Sequence, residues 1–347
     1  MTADVVIAGA GLAGACAALA LAPSRRVVVL DDGRPGASHA AAGLANPFLG
    51  RKAKRAWRAD AALHALGATL DRAGEAGLWR RTGLLRPARD RAQAEAFRQR
   101  QDEHPGRLDW LPPEASSERH PDVLAPHGAL WVCEGGHADV GEVALACLAG
   151  AEREGATVLR QRLSGWASGV ALTDAGEIAT RRLLLCAGAG TRPLAPGLPL
   201  HAVKGQTIRV RADRPLSVPP VSGPVYAVPA GEREWVVGAT FEHDFDTEAP
   251  TPEATAWLRE RVAGVVPALA EAEVLEARAG LRLTVPAAAR PGRLPLAGPL
   301  APGSGVWVFA GLGAKGLLTA PLLARHLPAW LGAPAAVWPE VSTAGLG

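Results

Sequence analysis

Residues 4–32 read DVVIAGAGLAGACAALALAPSRRVVVLDD, and the order of the short patterns in this stretch decides the fold. An apolar run, Val5–Ala8, leads into a glycine-rich turn, and a helical run, Leu12–Leu21, follows the turn. A second apolar run, Val27–Leu30, ends on the acidic residue Asp31. Strand, glycine turn, helix, strand and acid in this order are typical of the βαβ unit that binds a dinucleotide.

The glycines of this turn stand at the three positions where such a unit needs them. We expect Gly9 to form the tight turn, Gly11 to let a pyrophosphate approach the backbone, and Gly14 to let helix and strand pack closely. The N-terminus of the helix offers free N–H groups and a partial positive charge to the phosphates. Asp31 lies about 20 residues further on, where a carboxylate can accept both ribose hydroxyl groups. The stretch therefore predicts a cofactor with an adenosine diphosphate half.

A second glycine pattern, Gly311–Gly316, reads GLGAKG and also lies between an apolar run and a helical one. In a chain with 40 glycines, such a match carries little weight without its context. No strand that ends on an acid follows this pattern, so it does not predict a second dinucleotide unit. A nicotinamide enzyme, which would need such a unit, is therefore a remote alternative.

The composition is that of a globular protein of one or two domains, with 347 residues, 48% hydrophobic and 20% charged. No apolar stretch is long enough to span a bilayer, and a first strand near residue 4 leaves no room for a signal peptide, so we expect a cytoplasmic protein without membrane contact. A net charge of +3 is too small to indicate nucleic-acid binding. The four cysteines lie among apolar residues without metal-ligand spacing, so we expect buried, reduced thiols and no metal site.

The pattern changes twice along the rest of the chain. Helices are predicted over three segments, residues 53–72, 91–100 and 137–154. A turn-rich stretch covers 103–126, and short strands are predicted at residues 158–163, 170–173 and 183–186. Alternating strands dominate residues 201–283, with one amphipathic helix at 252–265, before an apolar strand and a C-terminal helix at 317–331.

This order predicts an α/β dinucleotide-binding domain, interrupted by a second α+β domain that is built on an antiparallel sheet. The first domain would comprise residues 1–77, 137–195 and 290–347. The second would comprise residues 78–136 and 196–289 and would hold the substrate.

Five further segments follow the GAGLAG turn in a fixed order. They are Gly36–Leu44 (GASHAAAGL), Val203–Gln206 (VKGQ), Tyr226–Pro229 (YAVP) with Val237–Thr240 (VGAT), Ala279–Arg282 (AGLR) and Phe309–Gly316 (FAGLGAKG). With this set the chain resembles, over nearly its whole length, the D-amino-acid oxidase family of FAD-dependent amine oxidoreductases. Within that family it is most similar to glycine oxidase and to the oxidase domain that trims carboxymethylaminomethyluridine in tRNA. The resemblance implies a Rossmann-like FAD domain joined to a substrate domain, as in the glutathione-reductase-like folds.

The resemblance also implies noncovalent FAD, because no cysteine stands where sarcosine oxidases attach the flavin. Small residues around Ser38 suit a loop against the flavin phosphate and ribityl chain, and Leu163 matches a strand residue whose backbone contacts adenine. The helix N-terminus after Gly311, together with Lys315, would stabilise the negative charge of a reduced flavin. The residues expected to bind FAD are Gly9, Gly11, Leu12, Ala13, Gly14, Asp31, Asp32, Ala37, Ser38, Ala42, Gly43, Leu44, Leu163, Ala187, Gly188, Gly311, Leu312, Gly313, Lys315, Gly316 and Leu317.

Arg282 is the candidate for binding a substrate carboxylate. It interrupts the apolar strand Gly280–Leu283, where a guanidinium is costly unless it is paired. In the family, the matching arginine forms two parallel hydrogen bonds with the substrate carboxylate. Tyr226 matches a position beside the substrate, where its hydroxyl would donate a hydrogen bond. Arg282, Tyr226 and Lys315 are therefore the candidate catalytic residues.

Three substrate-pocket positions depart from glycine oxidase. Ala314 stands in place of a second arginine, Phe241 in place of a methionine, and Pro224 in place of a histidine. These departures put free glycine in doubt as the substrate and leave the flavin site intact.

The resemblance implies an enzyme that oxidises an amine or amino acid carrying a carboxylate. A hydride would pass from the substrate Cα to flavin N5, water would hydrolyse the resulting imine, and O₂ would reoxidise the flavin and yield peroxide. Orientation and electrostatics would carry this step without a strong base.

Two alternatives stay open. The first is oxidative removal of a carboxymethyl group from a modified tRNA uridine, with Arg282 on the carboxymethyl group and the basic stretch 51–58 (RKAKRAWR) on phosphates. The second, more remote, is a flavoprotein without catalytic activity. For the basic stretch we expect Arg51, Lys52, Lys54 and Arg55 to form the solvated start of a helix and not a tRNA site.

Overall fold

The computed structural model describes residues 1–344 and 346. The strands in this part of the chain are, in order, β1 (Thr2–Ala3), β2 (Val5–Ala8), β3 (Val27–Leu30), β4 (Leu44–Ala45), β5 (Phe48–Leu49), β6 (Lys54–Arg55), β7 (Leu84–Pro87), β8 (Leu108–Leu111), β9 (Ala129–Val132), β10 (Gly136–His137), β11 (Thr157–Leu159), β12 (Leu163–Ala167), β13 (Val170–Thr173), β14 (Gly176–Thr180), β15 (Leu183–Leu185), β16 (His201–Arg211), β17 (Val221–Ser222), β18 (Tyr226–Pro229), β19 (Glu234–Gly238), β20 (Glu273–Thr284), β21 (Leu296–Pro299) and β22 (Val306–Ala310).

The helices connect these strands. The α-helices are α1 (Leu12–Leu21), α2 (Ala59–Arg72), α3 (Arg91–Glu103), α4 (Pro113–Arg119), α5 (Val140–Arg153), α6 (Thr191–Leu194), α7 (Pro252–Ala263), α8 (Gly316–Ala324) and α9 (Leu327–Trp330). Short 3₁₀ turns lie at Ala22–Ser24, Ala76–Leu78, Gly188–Gly190, Pro267–Leu269, Pro291–Arg293, Gly313–Lys315 and Pro334–Ala336.

A six-stranded sheet with the order β11–β3–β2–β15–β22–β21 forms the centre of the first half of the fold. The first five strands are parallel, and β21 pairs antiparallel with β22 at the edge. Helices α1, α2, α5 and α8 cover one face, and a four-stranded sheet, β1–β14–β13–β12, covers the other. Both faces are buried, which explains why Val5–Ala8 and Val27–Leu30 are continuous apolar runs.

An eight-stranded sheet with the order β20–β16–β19–β18–β17–β7–β9–β8 forms the other half. Its neighbouring strands are antiparallel except for the parallel pair of β17 and β7. The long strands β16 and β20 pair from His201–Thr284 to Arg211–Glu273. Leu258 of helix α7 packs into a hydrophobic core that also contains Trp235. These two sheets confirm the predicted α/β fold with a second, antiparallel sheet.

The helix predicted from residue 53 is wrong in its first turn. Helix α2 begins at Ala59, and Lys54–Arg55 form β6, which pairs with β5. Ala53 and Arg58 have left-handed backbones, with φ of 46° and 48°, so a right-handed helix cannot run through them. The basic residues from Arg51 to Arg55 therefore lie in a short hairpin and not in a helix.

The turn-rich interpretation of residues 103–126 is also incomplete. This stretch contains strand β8 and helix α4. Strand β8 is an edge strand of the eight-stranded sheet, and only Leu108 of it is fully buried. A half-exposed edge strand of four residues has too short an apolar pattern to be recognised from the sequence. The predicted C-terminal helix is likewise divided into α8 and α9.

We propose to divide the chain into domains at the boundaries given by the sequence. The strands of the six-stranded sheet and of β12–β14 come from residues 1–77, 137–195 and 290–347. The strands of the eight-stranded sheet come from residues 78–136 and 196–289.

Two expectations from the composition concern membranes and thiols. Within residues 1–344 and 346, none of the helices combines the length and the apolar character needed to cross a bilayer. Cys16, Cys147 and Cys186 are buried free thiols. Cys133 is only partly buried, and its Sγ lies 3.5 Å from Oδ2 of Asp109, so the prediction of burial is wrong for this cysteine.

Candidate functional site

A large cavity of about 1450 Å³ runs between the two sheets. One end lies at the carboxyl ends of β2, β3 and β15, where parallel α/β sheets bind their ligands. The other end lies against β16, β18 and β20 of the eight-stranded sheet. A drug-sized ligand needs roughly 300–1,000 Å³, so this cavity has room for a dinucleotide and for a second small molecule.

Only glycine fits at one position of the turn between β2 and α1 and at one position in the first turn of α1. Gly9 has a φ of 108°, and a Cβ there would lie 2.4 Å from the carbonyl oxygen of Cys186. A Cβ at Gly14 would lie 1.8 Å from the carbonyl oxygen of Gly9. The two glycines therefore let the turn approach β15 and let α1 approach the turn. The N-terminus of α1 faces the cavity as a result, through Gly11, Leu12 and Ala13.

The small-residue loop at 36–44 closes over this helix N-terminus. The Leu12 backbone N–H donates to Ser38 Oγ at 3.0 Å, which satisfies one of the free donors of the first helical turn. The loop backbone also lies close to β20, because a Cβ at Gly280 would come within 2.8 Å of the Ala37 Cα. The loop thus connects the nucleotide end of the cavity to the eight-stranded sheet.

Asp31, the residue expected to contact the ribose, directly follows β3 and lines the cavity. Its Oδ1 accepts from the Gly33 N–H at 2.9 Å, and its Oδ2 pairs with Arg160 Nη1 at 2.8 Å. Arg160 is largely exposed, so it can move away from the carboxylate at little cost. The carboxylate is held in place by the turn and keeps lone pairs for a ligand.

The second glycine pattern forms a turn between β22 and α8. Gly311 and Gly313 have left-handed backbones, and the N-terminus of α8 faces the cavity. The Lys315 ammonium donates to the carbonyl oxygens of Gly292 at 2.6 Å and Arg293 at 3.2 Å. Burial and the neighbouring Arg293 lower the pKa of Lys315. The turn and the helix N-terminus lie where the sequence predicts them, and the ammonium is engaged by backbone carbonyls.

Arg282 extends from β20 across the glycine of the neighbouring strand. A Cβ at Gly205 would lie 2.2 Å from Arg282 Nη2, so the guanidinium fits only because β16 has glycine there. Nη2 donates to the Thr240 carbonyl, and the guanidinium lies 4.1 Å from the centroid of the Phe241 ring. Among the described residues, no carboxylate lies within ion-pair distance of it, and its buried Nε has no hydrogen-bond partner. Burial lowers the pKa of Arg282, and the nearby Tyr226 and Glu242 oppose this shift in part.

Glu242 does not neutralise Arg282 because other groups hold it. It pairs with the fully buried Lys204, with 3.6 Å between Oε2 and Nζ. It also accepts hydrogen bonds from Gln206 Nε2, at 2.9 and 3.1 Å, and from the Thr240 hydroxyl. The positive charge of Arg282 is thus left facing the cavity.

A buried arginine that the sequence did not predict as a site residue lies at the same end of the cavity as Arg282. Arg86 in β7 is only 6% exposed, and its guanidinium donates to the carbonyl oxygens of Phe48 at 2.8 Å and Gly50 at 2.6 Å. Its Nε is buried and has no hydrogen-bond partner within residues 1–344 and 346. The pattern Leu84–Pro87 reads LLRP, a charged residue within an apolar strand, which is the same signal that drew attention to Arg282.

The cavity brings together nearly all of the predicted site residues. Gly14 is the exception, since it lies behind the turn and acts through packing. The predicted residues that line the cavity are Gly9, Gly11, Leu12, Ala13, Asp31, Asp32, Ala37, Ser38, Ala42, Gly43, Leu44, Leu163, Ala187, Gly188, Tyr226, Arg282, Gly311, Leu312, Gly313, Lys315, Gly316 and Leu317. The glycine turns leave room for a flavin dinucleotide because they carry no side chains. Two helix N-termini and the Asp31 carboxylate also fit such a ligand.

The basic stretch at 51–58 is largely neutralised. Arg51 pairs with Asp90, and Arg55 pairs with both Asp60 and Glu134. Arg58 lies over the Trp338 ring, at 3.8 Å from its centroid. Of this stretch, only Arg51 lines the cavity.

Known proteins match this chain over nearly its whole length. The family model described as FAD-dependent oxidoreductase matches residues 4–330. The crystal structure of glycine oxidase from Geobacillus kaustophilus superposes with a TM-score of 0.83 and 25% identity, covering 95% of this chain and 94% of that one. The crystal structure of iminodiacetate oxidase from a Chelativorans species superposes with a TM-score of 0.81 and 27% identity, covering 97% of both chains.

A third relative is a fused protein. The tRNA 5-methylaminomethyl-2-thiouridine biosynthesis bifunctional protein MnmC from a Polaromonas species is 31% identical over 370 residues. The match covers 94% of this chain but only 56% of that protein.

Proposed function

Because the chain belongs to the FAD-dependent oxidoreductase family, we propose that it oxidises an amine or amino acid whose carbon next to nitrogen carries a carboxylate. The family acts on C–N groups with FAD, and glycine oxidase and iminodiacetate oxidase are among its members. The observation that carries the proposal is Arg282, a partly buried guanidinium that faces the same cavity as the nucleotide turn and has no acidic partner among the described residues.

FAD, when bound, supplies a two-electron acceptor and returns the electrons to an external acceptor, which we propose to be O₂. The substrate carboxylate would form two parallel hydrogen bonds with Arg282, which fix its position. Because Arg282 would hold the carboxylate, the neighbouring C–H bond would be oriented toward the nucleotide end of the cavity. This orientation would lower the activation barrier of the oxidation. The Tyr226 hydroxyl, which lines the same end, would donate to the second carboxylate oxygen or orient the amine.

The second glycine turn supports the electrostatics of the same step. The N-terminus of α8 directs a partial positive charge at the cavity. Lys315 stands directly before this helix and is held by the carbonyl oxygens of Gly292 and Arg293. We propose that the charge of Lys315 stabilises the reduced flavin electrostatically, without direct contact, and that its hydrogen bonds fix the turn. The N–H groups at the start of α8 would make the direct contacts with the flavin. The proposed FAD contacts are those of the predicted residues that line the cavity, without a covalent bond to a cysteine.

The test is release of hydrogen peroxide by purified protein across a panel of N-alkyl glycines, D-amino acids and cyclic imino acids. We expect rapid turnover of members of this panel, all of which carry a carboxylate next to the reacting carbon, and much slower turnover of matched amines without it. The matched amines without a carboxylate serve as the control. Turnover of amines regardless of the carboxylate would contradict the proposal.

The relatives of the MnmC type favour a second candidate, oxidation of a carboxymethyl group on a tRNA uridine. The chain matches them over 94% of its length. The ion pairs of Arg51 and Arg55 count against it, because paired arginines release few counterions on phosphate binding. Binding of bulk tRNA across a salt series distinguishes the two. A steep loss of affinity with salt that flattens in the Lys52→Gln, Lys54→Gln double variant would favour the tRNA substrate.

A further inference from the structure

A second cationic group faces the substrate end of the cavity, beyond Arg282. Arg86 is 6% exposed and lines the cavity, and its Nε has no hydrogen-bond partner in the part of the chain that the structure describes. The two hydrogen bonds that it makes go to neutral carbonyl oxygens, those of Phe48 and Gly50. Among the described residues, no acid pairs with it. A buried guanidinium left with its full charge is costly unless a ligand supplies the counter-charge.

Arg89 adds an exposed guanidinium on the same side. It lines the cavity two residues beyond the end of β7 and has no acidic partner in residues 1–344. The corner that carries it is rigid, because the buried Gln93 accepts from the Arg89 N–H at 3.0 Å and donates to the Arg51 carbonyl at 2.7 Å. The adjacent Asp90 is occupied by the side chain of Arg51 and the Gln93 N–H.

Tyr226 lies on the strand next to β17 and lines the cavity together with both Arg86 and Arg282. Burial lowers the pKa of Arg86 to about 10, and Tyr226 opposes this shift, as it does for Arg282. The parallel pairing of β7 with β17, Leu85 against Val221, places Arg86 beside the β17–β18 hairpin that carries Tyr226. The acids that line the cavity are Asp31 and Asp32 at the nucleotide end, and Glu248. The substrate end therefore has more positive charge than its own acids neutralise.

We propose that Arg86 and Arg89 bind a second carboxylate of the substrate, so that the amine carries one carboxylate on Arg282 and another on the β7 side. This inference rests on the proposed function and narrows its substrate class to amino dicarboxylates, of which iminodiacetate is the smallest secondary amine. A small anion suits the site because Arg86 is buried and only Arg89 is exposed. A polyanion on the outside would reach Arg89 and not Arg86.

The experiment compares two substrates of equal size with the FAD-loaded protein. Iminodiacetate carries two carboxylates, and N-(carbamoylmethyl)glycine replaces the second one with a neutral amide. We expect kcat/KM to favour iminodiacetate by about tenfold or more, the scale of one charge-assisted hydrogen bond. Binding of thiodiacetate, which has sulfur in place of the amine nitrogen, gives a dissociation constant independent of turnover, from the perturbation of the flavin spectrum.

The variant Arg89→Gln decides the assignment, because this exposed side chain makes no contact on which folding depends. The matched control is Arg91→Gln, an exposed arginine of α3 that does not line the cavity. In Arg89→Gln the preference for iminodiacetate should fall toward one, and thiodiacetate should bind about tenfold more weakly. Arg91→Gln should change neither.

The outcomes separate the two proposals. If both substrates are oxidised equally well, or if Arg89→Gln keeps the preference, the second carboxylate site is wrong and the proposed function stands. If neither substrate nor any other carboxylate amine reduces the flavin, both proposals fall together. Variant Arg86→Gln adds a second measurement, valid where its flavin content and melting temperature match those of the wild type.

Discussion

The two ends of the cavity are built by different means. The nucleotide end consists of backbone turns and helix N-termini, with Gly9 and Gly14 at positions where any side chain would collide with backbone. The substrate end consists of charged and aromatic side chains, above all Arg282, Arg86 and Tyr226, on strands of the eight-stranded sheet. The first end is a local property of short sequence stretches, and the second depends on which distant strands become neighbours. Substitutions at the two ends should therefore have separable effects, on cofactor retention and on substrate selection.

The largest effect is expected from Gly14→Ala at the nucleotide end. Its new Cβ would lie 1.8 Å from the Gly9 carbonyl oxygen, a backbone atom that cannot move aside as the end of a flexible side chain could. We expect loss of bound FAD and a destabilisation at or above the roughly 1–3 kcal/mol typical of overpacking. The measurements are the ratio of flavin to protein after purification and the unfolding free energy.

The control for this variant is Gly77→Ala, where a Cβ would meet no atom within 4 Å. It should retain a full complement of FAD. A Gly14→Ala protein with normal flavin content would show that helix α1 does not need the close approach to the turn.

The substrate end should respond to Arg282→Ala with its FAD intact. The substrate carboxylate would lose its partner in the cavity. We therefore expect kcat/KM for a carboxylate amine to fall by a factor that corresponds to about 3–5 kcal/mol of transition-state stabilisation. Arg282→Lys keeps the charge but not the bidentate geometry, and should fall between the alanine variant and the wild type. Steady-state peroxide assays and the absorption spectrum of the bound flavin give the two readouts.

A matched amine without the carboxylate is the control for Arg282→Ala, and its slow turnover should change little. Equal losses for both amines would mean that Arg282 supports the structure of the sheet. No loss for either would move the carboxylate anchor to another residue, with Arg86 the next candidate.

A smaller effect is expected from Asp31→Asn, a substitution at the nucleotide end of the cavity. The amide keeps the shape of the carboxylate and loses its charge, so hydrogen bonds from the ribose hydroxyls weaken. We expect FAD affinity to fall by about 1–1.5 kcal/mol, the difference between hydrogen bonds to a charged acceptor and hydrogen bonds to a neutral one. Titration of the apoprotein with FAD, followed by flavin fluorescence, measures it.

The neighbouring carboxylate provides the comparison for Asp31→Asn. Asp32 accepts a 3.1 Å hydrogen bond from the Arg34 backbone N–H, and Asp32→Asn should weaken FAD less. The reverse order would assign the ribose contact to Asp32.

The contrast between the two ends also explains what the sequence could predict. The βαβ unit, Asp31 and the turn at Gly311 were found because backbone geometry restricts the residue types within a few positions. Arg282 was found because a lone charge in an apolar strand is a local anomaly. Arg86 carries the same anomaly in Leu84–Pro87, but nothing local indicates that β7 pairs with β17.

For the basic stretch at 51–58, the sequence pattern predicted a helix that the structure does not contain. A run of charges beside a helical pattern predicted one continuous helix. The left-handed residues Ala53 and Arg58 break it, and the partners of Arg55 come from Asp60 and from the distant Glu134. Neither the backbone break nor the long-range ion pair has a signature in the charge pattern alone.

The most direct test of the account is an anaerobic titration of the purified protein, followed by the absorption of its flavin. We expect a yellow protein whose flavin is bleached rapidly by an N-alkyl glycine and far more slowly by the matched amine without a carboxylate. A colourless protein that cannot be reconstituted with FAD would contradict the assignment of the cavity. Equal bleaching by both amines would contradict the central claim that Arg282 selects the substrate through its carboxylate.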